Sequence, residues 1–213
     1  MMRRLFFFLS VFFFSLAIYA QPGNKDKTAG MDRPKLVVGI VVDQMRWDYL
    51  YRYNDRYAAN GGFKRLLNQG FSCENTLIPY TPTITACGHT CIYTGSVPAI
   101  HGIVANGWWD NQEMRNVYCT EDNSVSTVGS HTDAGKMSPA NMVATTITDE
   151  LRLATNFKSK VIGIALKDRG AILPAGHSAN AAIWYDSKAG KWISSTYYGK
   201  ELPAWVDDFN KKG

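Results

Sequence analysis

Two short apolar runs, each broken off abruptly by charge, constrain the fold of this chain more than any other feature. Lys35 to Val42 (KLVVGIVV) is nearly unbroken β-branched sequence and stops at Asp43. Lys160 to Leu166 (KVIGIAL) repeats the pattern and stops at Lys167-Asp168-Arg169. Runs of this length and composition suit strands buried on both faces, as in parallel sheets covered by helices. Helical sequence between them gives a strand–helix–strand order, and such crossovers are right-handed. The expected class is α/β, a mainly parallel sheet with helices on both faces. Ligands of open α/β sheets bind beyond the carboxyl ends of the strands, so Asp43, Lys167 and Arg169 are expected along one edge. For Asp43 alone, capping of the next helix is an equally good reading.

Thr81 to Gly95 (TPTITACGHTCIYTG), continuing through SVPAIHGIVAN to Asn106, is the other informative stretch. Alternating threonines predict an extended approach, then a sharp turn at Thr85 and a short helix that Gly95 closes. A hydroxyl at a helix start lies where unpaired amides favour an anion, or else it is a plain N-cap. Taken together, Asp43, Thr85, Asn106, Lys167 and Arg169 suit phosphoryl chemistry. A carboxylate can hold a metal, and a threonine attacks only once activated, because its hydroxyl is protonated at neutral pH. An amide, an ammonium and a guanidinium can hold phosphoryl oxygens.

Composition narrows the classes. The 213 residues are 46% hydrophobic and 19% charged, ordinary globular values. Residues 1–20 (MMRRLFFFLSVFFFSLAIYA) read as a signal peptide, with Arg3 and Arg4 before a compact apolar core and a cleavage point after Ala20. The core is shorter than the ~20 residues of a spanning helix, so export without a stable membrane anchor is expected. The formal charge of +5 falls to +3 without Arg3 and Arg4, too mild for nucleic-acid binding.

Residues 21–34 read as a polar tether and 35–213 as one domain of ordinary size or part of a larger one. Helices are expected over Gln44–Asn60, over Gly62–Gln69 with Phe63, Leu66 and Leu67 inward, and from Ser138-Pro139 to about Thr155 with Val143, Ile147 and Leu151 in the core. A strand is expected over Phe71–Ile78, and a hairpin around DSKAG between His177–Tyr185 and Lys191–Tyr198. Pro203–Phe209 reads as a last helix. Residues 108–137 read as a surface excursion, with Trp108 and Trp109 packing it down. Export permits disulfides among Cys73, Cys87, Cys91 and Cys119, with Cys73 and Cys119 one candidate pair and the connectivity open. Cys87-x-His89-x-Cys91 has none of the usual structural-zinc spacings.

PTITACGHTCIYTG, with HGIVAN placing Asn106 21 positions after Thr85, resembles the nucleophile region of the alkaline phosphatase superfamily, in its type I phosphodiesterase/nucleotide pyrophosphatase branch. LVVGIVVDQMR, YTGSVPAIHGI, NGWWD and IALKDRGAILPAGHSANAAIWYD are most similar to PafA-type bacterial alkaline phosphatases. The resemblance implies an alkaline-phosphatase-like fold and an exported enzyme that hydrolyses small phosphate monoesters with two zinc ions. It implies Thr85 as nucleophile, Asp43 and Thr85 as metal ligands, and Asn106, Lys167 and Arg169 as groups binding the phosphoryl oxygens. The Lys-x-Arg pair implies a monoesterase rather than the diester- or pyrophosphate-cleaving alternative. A sulfatase is disfavoured, since Cys87 begins no C/S-x-P-x-R motif. The resemblance further implies zinc ligands in an Asp-x-x-x-His pair, an Asp-His pair and a late His; this sequence has neither pair, and His89, His101, His131 and His177 each read in a blander role. Those ligands are expected downstream of Gly213, so the chain reads as the N-terminal part of the enzyme, incomplete at the C-terminus; an inactive truncated relative is the remaining alternative.

Overall fold

The computed structural model describes residues 34–212, in two units, 34–40 and 41–212. The expected signal peptide and all of the tether but Pro34 lie outside the described residues. The first half of the second unit holds α1 (Tyr49–Arg52), a 3₁₀ turn (Asn54–Arg56), α2 (Gly62–Gln69), α3 (Thr85–Thr94), α4 (Pro98–His101), β1 (Gly107–Asp110) and β2 (Arg115–Tyr118). The second half holds β3 (Thr127–Val128), α5 (Ile147–Ala154), β4 (Ile162–Ala165), α6 (Asp168–Ala175), β5 (Ala181–Asp186), β6 (Lys191–Ser195) and α7 (Ala204–Asn210).

The α/β class is as expected, and the main sheet is mixed, in the order β3-β6-β5-β4. The parallel pairing falls at β4–β5, with Ile162 opposite Ala181 and Ala165 opposite Trp184, and α6 is the crossover. The β5–β6 hairpin forms where DSKAG was read. Asp186 Oδ1 accepts from the Lys188 and Ala189 amides, and Gly190 turns the chain at φ +67°. Alternation along β5 gives the sheet two apolar faces. Ala182 and Trp184 meet Ala171, Ile172 and Ala175 of α6, while Ala181 and Ile183 meet Val206 of α7. Gly163 lets α6 lie this close, since a Cβ there would collide with the Ala171 carbonyl oxygen and sit 2.9 Å from Ala175 Cβ. On its other side α6 offers Leu173 to Ala86, Ile103, Cys119 and Met142, a second apolar cluster beneath α3.

A buried polar centre ties α5 to this core. Thr146 and Asp149 form a capping box, and Asp149 also accepts from the Ser178 amide and hydroxyl at 2.7 and 2.8 Å and from the His177 amide at 3.2 Å. The His177 ring sets Nδ1 3.4 Å from Asp149 and donates from Nε2 to the Met142 carbonyl at 2.8 Å. Burial pushes the Asp149 carboxyl up, but hydrogen bonds from His177, Thr146 and Ser178 outweigh it and hold the group well below the usual carboxylate range. The same bond to Asp149 raises His177 against the effect of burial.

Several expected elements differ. Lys35 to Val42 forms no strand, and Leu36, Val37, Val38 and Ile40 are at least 67% exposed. A β-branched run becomes a buried strand only where neighbours take up its backbone groups, and no ladder among the described residues includes it. Phe71 to Ile78 is irregular and exposed for the same reason. Helix over Gln44–Asn60 shrinks to α1 and the 3₁₀ turn. In α2, Phe63 and Leu66 face solvent and Leu67 is half-buried. The helix expected from Ser138 begins only at Ile147, because the Ser138 hydroxyl donates to Asp122 at 2.6 Å and accepts the Ala140 amide in a turn. Val143, Ile147 and Leu151 are exposed. Within 108–137, Val117, Cys119, Thr120 and Val128 are buried, and Thr127-Val128 joins the main sheet.

Gly163→Ala is expected to destabilise the fold by about 1–3 kcal/mol through overpacking against α6, read from the urea-unfolding midpoint. The polar centre sets a pH dependence. Asp149, held low, contributes stability that is lost as pH falls through its folded pKa; His177, held high, contributes stability that is lost as pH rises through its own. The unfolding midpoint is therefore expected to fall on the alkaline side of His177's titration, and His177→Gln should flatten that limb.

Candidate active site

Ile84 arrives in extended backbone (φ −114°, ψ 168°) and Thr85 is the first helical residue of α3. At the far end Gly95 takes the left-handed conformation, φ +64°, and its amide bonds to the Cys91 carbonyl at 2.9 Å. Thr85 therefore follows the cap position, and its side chain makes no capping bond. Its Oγ1 donates to Asp43 Oδ2 at 2.9 Å, across 42 residues of chain. The next amide, Ala86 N–H, is taken by Asn106 Oδ1 at 2.9 Å. With its oxygen engaged, Asn106 keeps the two Nδ2 hydrogens as the donors it can offer. His89 Nδ1 donates to the Thr85 carbonyl at 2.8 Å. Three side chains thus fix the turn that presents the Thr85 hydroxyl.

A second set of contacts runs from Asn106 to the start of α6. The Asn106 carbonyl accepts from Cys119 N–H at 3.1 Å, extending the β1–β2 hairpin in which Gly107 lies opposite Tyr118. Tyr118 O–H donates to Asp168 Oδ1 at 2.7 Å and accepts from Arg169 Nη1 at 2.7 Å. The Arg169 side chain is 15% exposed, and its Nε is buried with no hydrogen-bond partner among the described residues. Burial, with Asp168 adding to it, pushes Tyr118 above the ordinary tyrosine range, so the phenol keeps its proton. α3 packs on α6, with His89 Nε2 3.9 Å from where a Cβ on Gly170 would sit. Lys167 is exposed at the N-cap of α6 and forms no ion pair among the described residues.

The structure therefore joins Asp43, Thr85 and Asn106 directly, joins Arg169 to them through Tyr118 and the hairpin, and leaves Lys167 connected only by chain. Asp43 Oδ2 and Thr85 Oγ1 are two hard oxygen donors within reach of one cation, and they fit part of a zinc site. Among the described residues no group of three or more His, Cys, Asp or Glu gathers as a metal site, whereas catalytic zinc takes about three protein ligands. The Cys87-x-His89-x-Cys91 stretch has another role. Ile103 N–H donates to His101 Nδ1 at 3.1 Å, which puts the ring proton on Nε2, and that nitrogen lies 3.1 Å from Cys91 Sγ. All four cysteines are free, so the Cys73–Cys119 pairing does not form; Cys119 lies in the apolar cluster beneath α3, where burial pushes its thiol up to about 12. Trp108 packs on that same cluster, while Trp109 is half-exposed.

His89, Tyr118 and Asp168 are not among the site residues expected from sequence. His89 sits within the threonine stretch, and its spacing of four from Thr85 on a helix was the available signal. Tyr118 lies 51 residues from Arg169 in polar sequence, where no local pattern marks it.

Residues 37–212 match the family model described as type I phosphodiesterase/nucleotide pyrophosphatase. The chain is 68% identical over 178 residues to a Synechococcus elongatus protein named alkaline phosphatase PhoV, covering 84% of this chain and 32% of that one. It is 62% identical over 200 residues to a Myroides odoratus protein named calcium-transporting ATPase, covering 94% of this chain and 35% of that one. The crystal structure of wild-type alkaline phosphatase PafA superposes with a TM-score of 0.84 at 59% identity, covering 86% of this chain and 35% of that one. The chain spans about a third of the length of the curated relatives it matches.

Proposed function

The chain belongs to the type I phosphodiesterase/nucleotide pyrophosphatase family, and we propose that the whole protein is an exported alkaline phosphatase that hydrolyses small phosphate monoesters through Thr85. The observation that carries this reading is the Thr85 hydroxyl at the start of α3, 2.9 Å from the Asp43 carboxylate and backed by Asn106 on the next amide. Export rests on the leader at residues 1–20; no helix among the described residues is long and apolar enough to cross a membrane.

In this reading Thr85 Oγ bonds to phosphorus as the ester P–O bond breaks, giving phosphothreonine and the alcohol. Water then cleaves the phosphothreonine, restoring Thr85 and releasing phosphate. Asp43 and Thr85 would hold zinc together with ligands from outside this chain, two ions in the complete site. Zinc, when bound, lowers the pKa of the oxygens it coordinates and offsets charge on the oxygens entering and leaving phosphorus. Asn106 Nδ2–H donates to a nonbridging phosphoryl oxygen. The buried Arg169 Nε–H has no protein acceptor among the described residues, and an incoming anion would satisfy it. Lys167, exposed two residues earlier, adds a second positive charge at the same helix start. A monoester carries more nonbridging negative charge than a diester, so this pair favours monoesters over the diesters and pyrophosphates implied by the family's description.

In the full-length protein, Thr85→Ala is expected to lower kcat/KM for an aryl phosphate by at least roughly 10³-fold, the scale on which removal of a nucleophile acts. Chelation should abolish the same activity and added zinc restore it. An active Thr85→Ala enzyme would place the nucleophile elsewhere. Replacing Lys167 and Arg169 together by alanine is expected to cut monoester hydrolysis about 10²- to 10³-fold and diester hydrolysis far less. Equal losses on both substrates would remove the assignment of monoester preference to this pair.

A further inference from the structure

We infer that Tyr118 is a positioning residue for Arg169, its hydroxyl fixing one guanidinium nitrogen so that the remaining donors stay on the phosphoryl group. The inference rests on the phosphatase reading above and adds to it a residue outside the nucleophile stretch and outside α6. Arg169 follows Asp168 directly, and the obvious partner for its guanidinium is that carboxylate. The two side chains form only a loose ion pair and no hydrogen bond: Nη1 stands 3.9 Å from Asp168 Oδ1. The Tyr118 oxygen occupies the space between them, 2.7 Å from each.

The direction of both bonds is forced by chemistry. A guanidinium only donates and an ionised carboxylate only accepts, so the single phenolic proton must point to Asp168 while the oxygen accepts from Arg169. A residue with no hydroxyl cannot make this bridge. Without it Arg169 would regain the rotamer freedom of a long side chain and would have a carboxylate within reach. The ring contributes as well, with the guanidinium carbon 6.0 Å from its centroid.

Tyr118 is itself held from several sides. Its amide donates to Glu121 Oε2 at 2.8 Å and its carbonyl accepts from Asn141 Nδ2 at 3.2 Å. Gly107 lies across the hairpin from it, and the Cys119 amide that follows it bonds the Asn106 carbonyl. One hairpin therefore sets the positions of both Asn106 and, through the Tyr118 hydroxyl, Arg169.

Tyr118→Phe in the full-length protein keeps the ring and removes only the bridge. Its kcat/KM for an aryl phosphate should fall roughly 10- to 100-fold, and inhibition by inorganic phosphate should weaken in parallel. In an Arg169→Ala background the same substitution should have no further effect, so the double-mutant cycle shows coupling as large as the single-variant loss. A merely structural tyrosine would instead add its loss to that of Arg169→Ala and leave the phosphate inhibition constant unmoved; that result overturns the inference. Asp168→Asn, which keeps an acceptor for the phenol, should retain more activity than Tyr118→Phe. If Arg169→Ala cripples the enzyme and Tyr118→Phe does not, the inference fails while the phosphatase reading stands. If Arg169→Ala itself leaves monoester hydrolysis unchanged, the assigned role of Arg169 fails and Tyr118 with it.

Discussion

Everything in the described fold that bears on the site depends on α6 being buried from two sides at once. Ala171, Ile172 and Ala175 seal it onto β4 and β5, and Leu173 faces the cluster beneath α3. Helix and sheet can come this close because Gly163 leaves room for the Ala171 carbonyl and because the helix residues at the contact are small. The result is a buried spacer whose first turn carries Asp168 and Arg169 and whose flank supports the helix carrying Thr85. Thr85 and Arg169 are thus referred to one apolar core, shared by Ala86 and Leu173.

Polar contacts then set the finer geometry, and they are specific where the apolar core is not. Thr85 could present its hydroxyl in several directions from a helix start; the bond to Asp43 selects one, and Asn106 and His89 hold the surrounding backbone. Asn106 serves two purposes with separate atoms. Its backbone and side-chain carbonyls lock the hairpin and the α3 amide, and its Nδ2 hydrogens take part in neither contact. The anion-favouring helix start expected from sequence is accordingly not a set of bare amides, since the Ala86 amide is already satisfied by a side chain.

Much of the placement of the candidate site residues was legible because they sit at element boundaries, where sequence signals are strongest. Gly95 marks the end of α3, and Lys167 and Arg169 mark the passage from β4 into α6. The hairpin around DSKAG was readable for the same reason, from Asp186 and Gly190. What failed was the assignment of buried faces. KLVVGIVV and the Val143, Ile147, Leu151 stripe carry the right periodicity for burial, yet burial requires a covering partner. Periodicity records the preference of a segment and says nothing of whether a covering partner is present. The helix start at Ser138 failed differently: serine serves turns as readily as caps, and here Asp122, 16 residues away, takes its hydroxyl. Tyr118 was invisible because its partners are about 50 residues downstream and its own neighbourhood is unremarkable.

The placement of Tyr118 also resolves an electrostatic conflict that sequence alone would leave standing. An Asp-Arg neighbour pair at a helix start invites a local salt bridge, which would spend the guanidinium on its own carboxylate and leave little for an anion. Deleting the acid would free the arginine but would remove a carboxylate from the first turn of α6, where negative charge is favourable. Interposing a phenol keeps both. Asp168 Oδ1 accepts the phenolic proton and the Arg169 amide, at 2.7 and 2.5 Å, while Arg169 is oriented by a neutral oxygen that offsets little of its charge. Burial and the nearby carboxylate push that phenol above the ordinary tyrosine range, so the proton that makes the bridge stays in place.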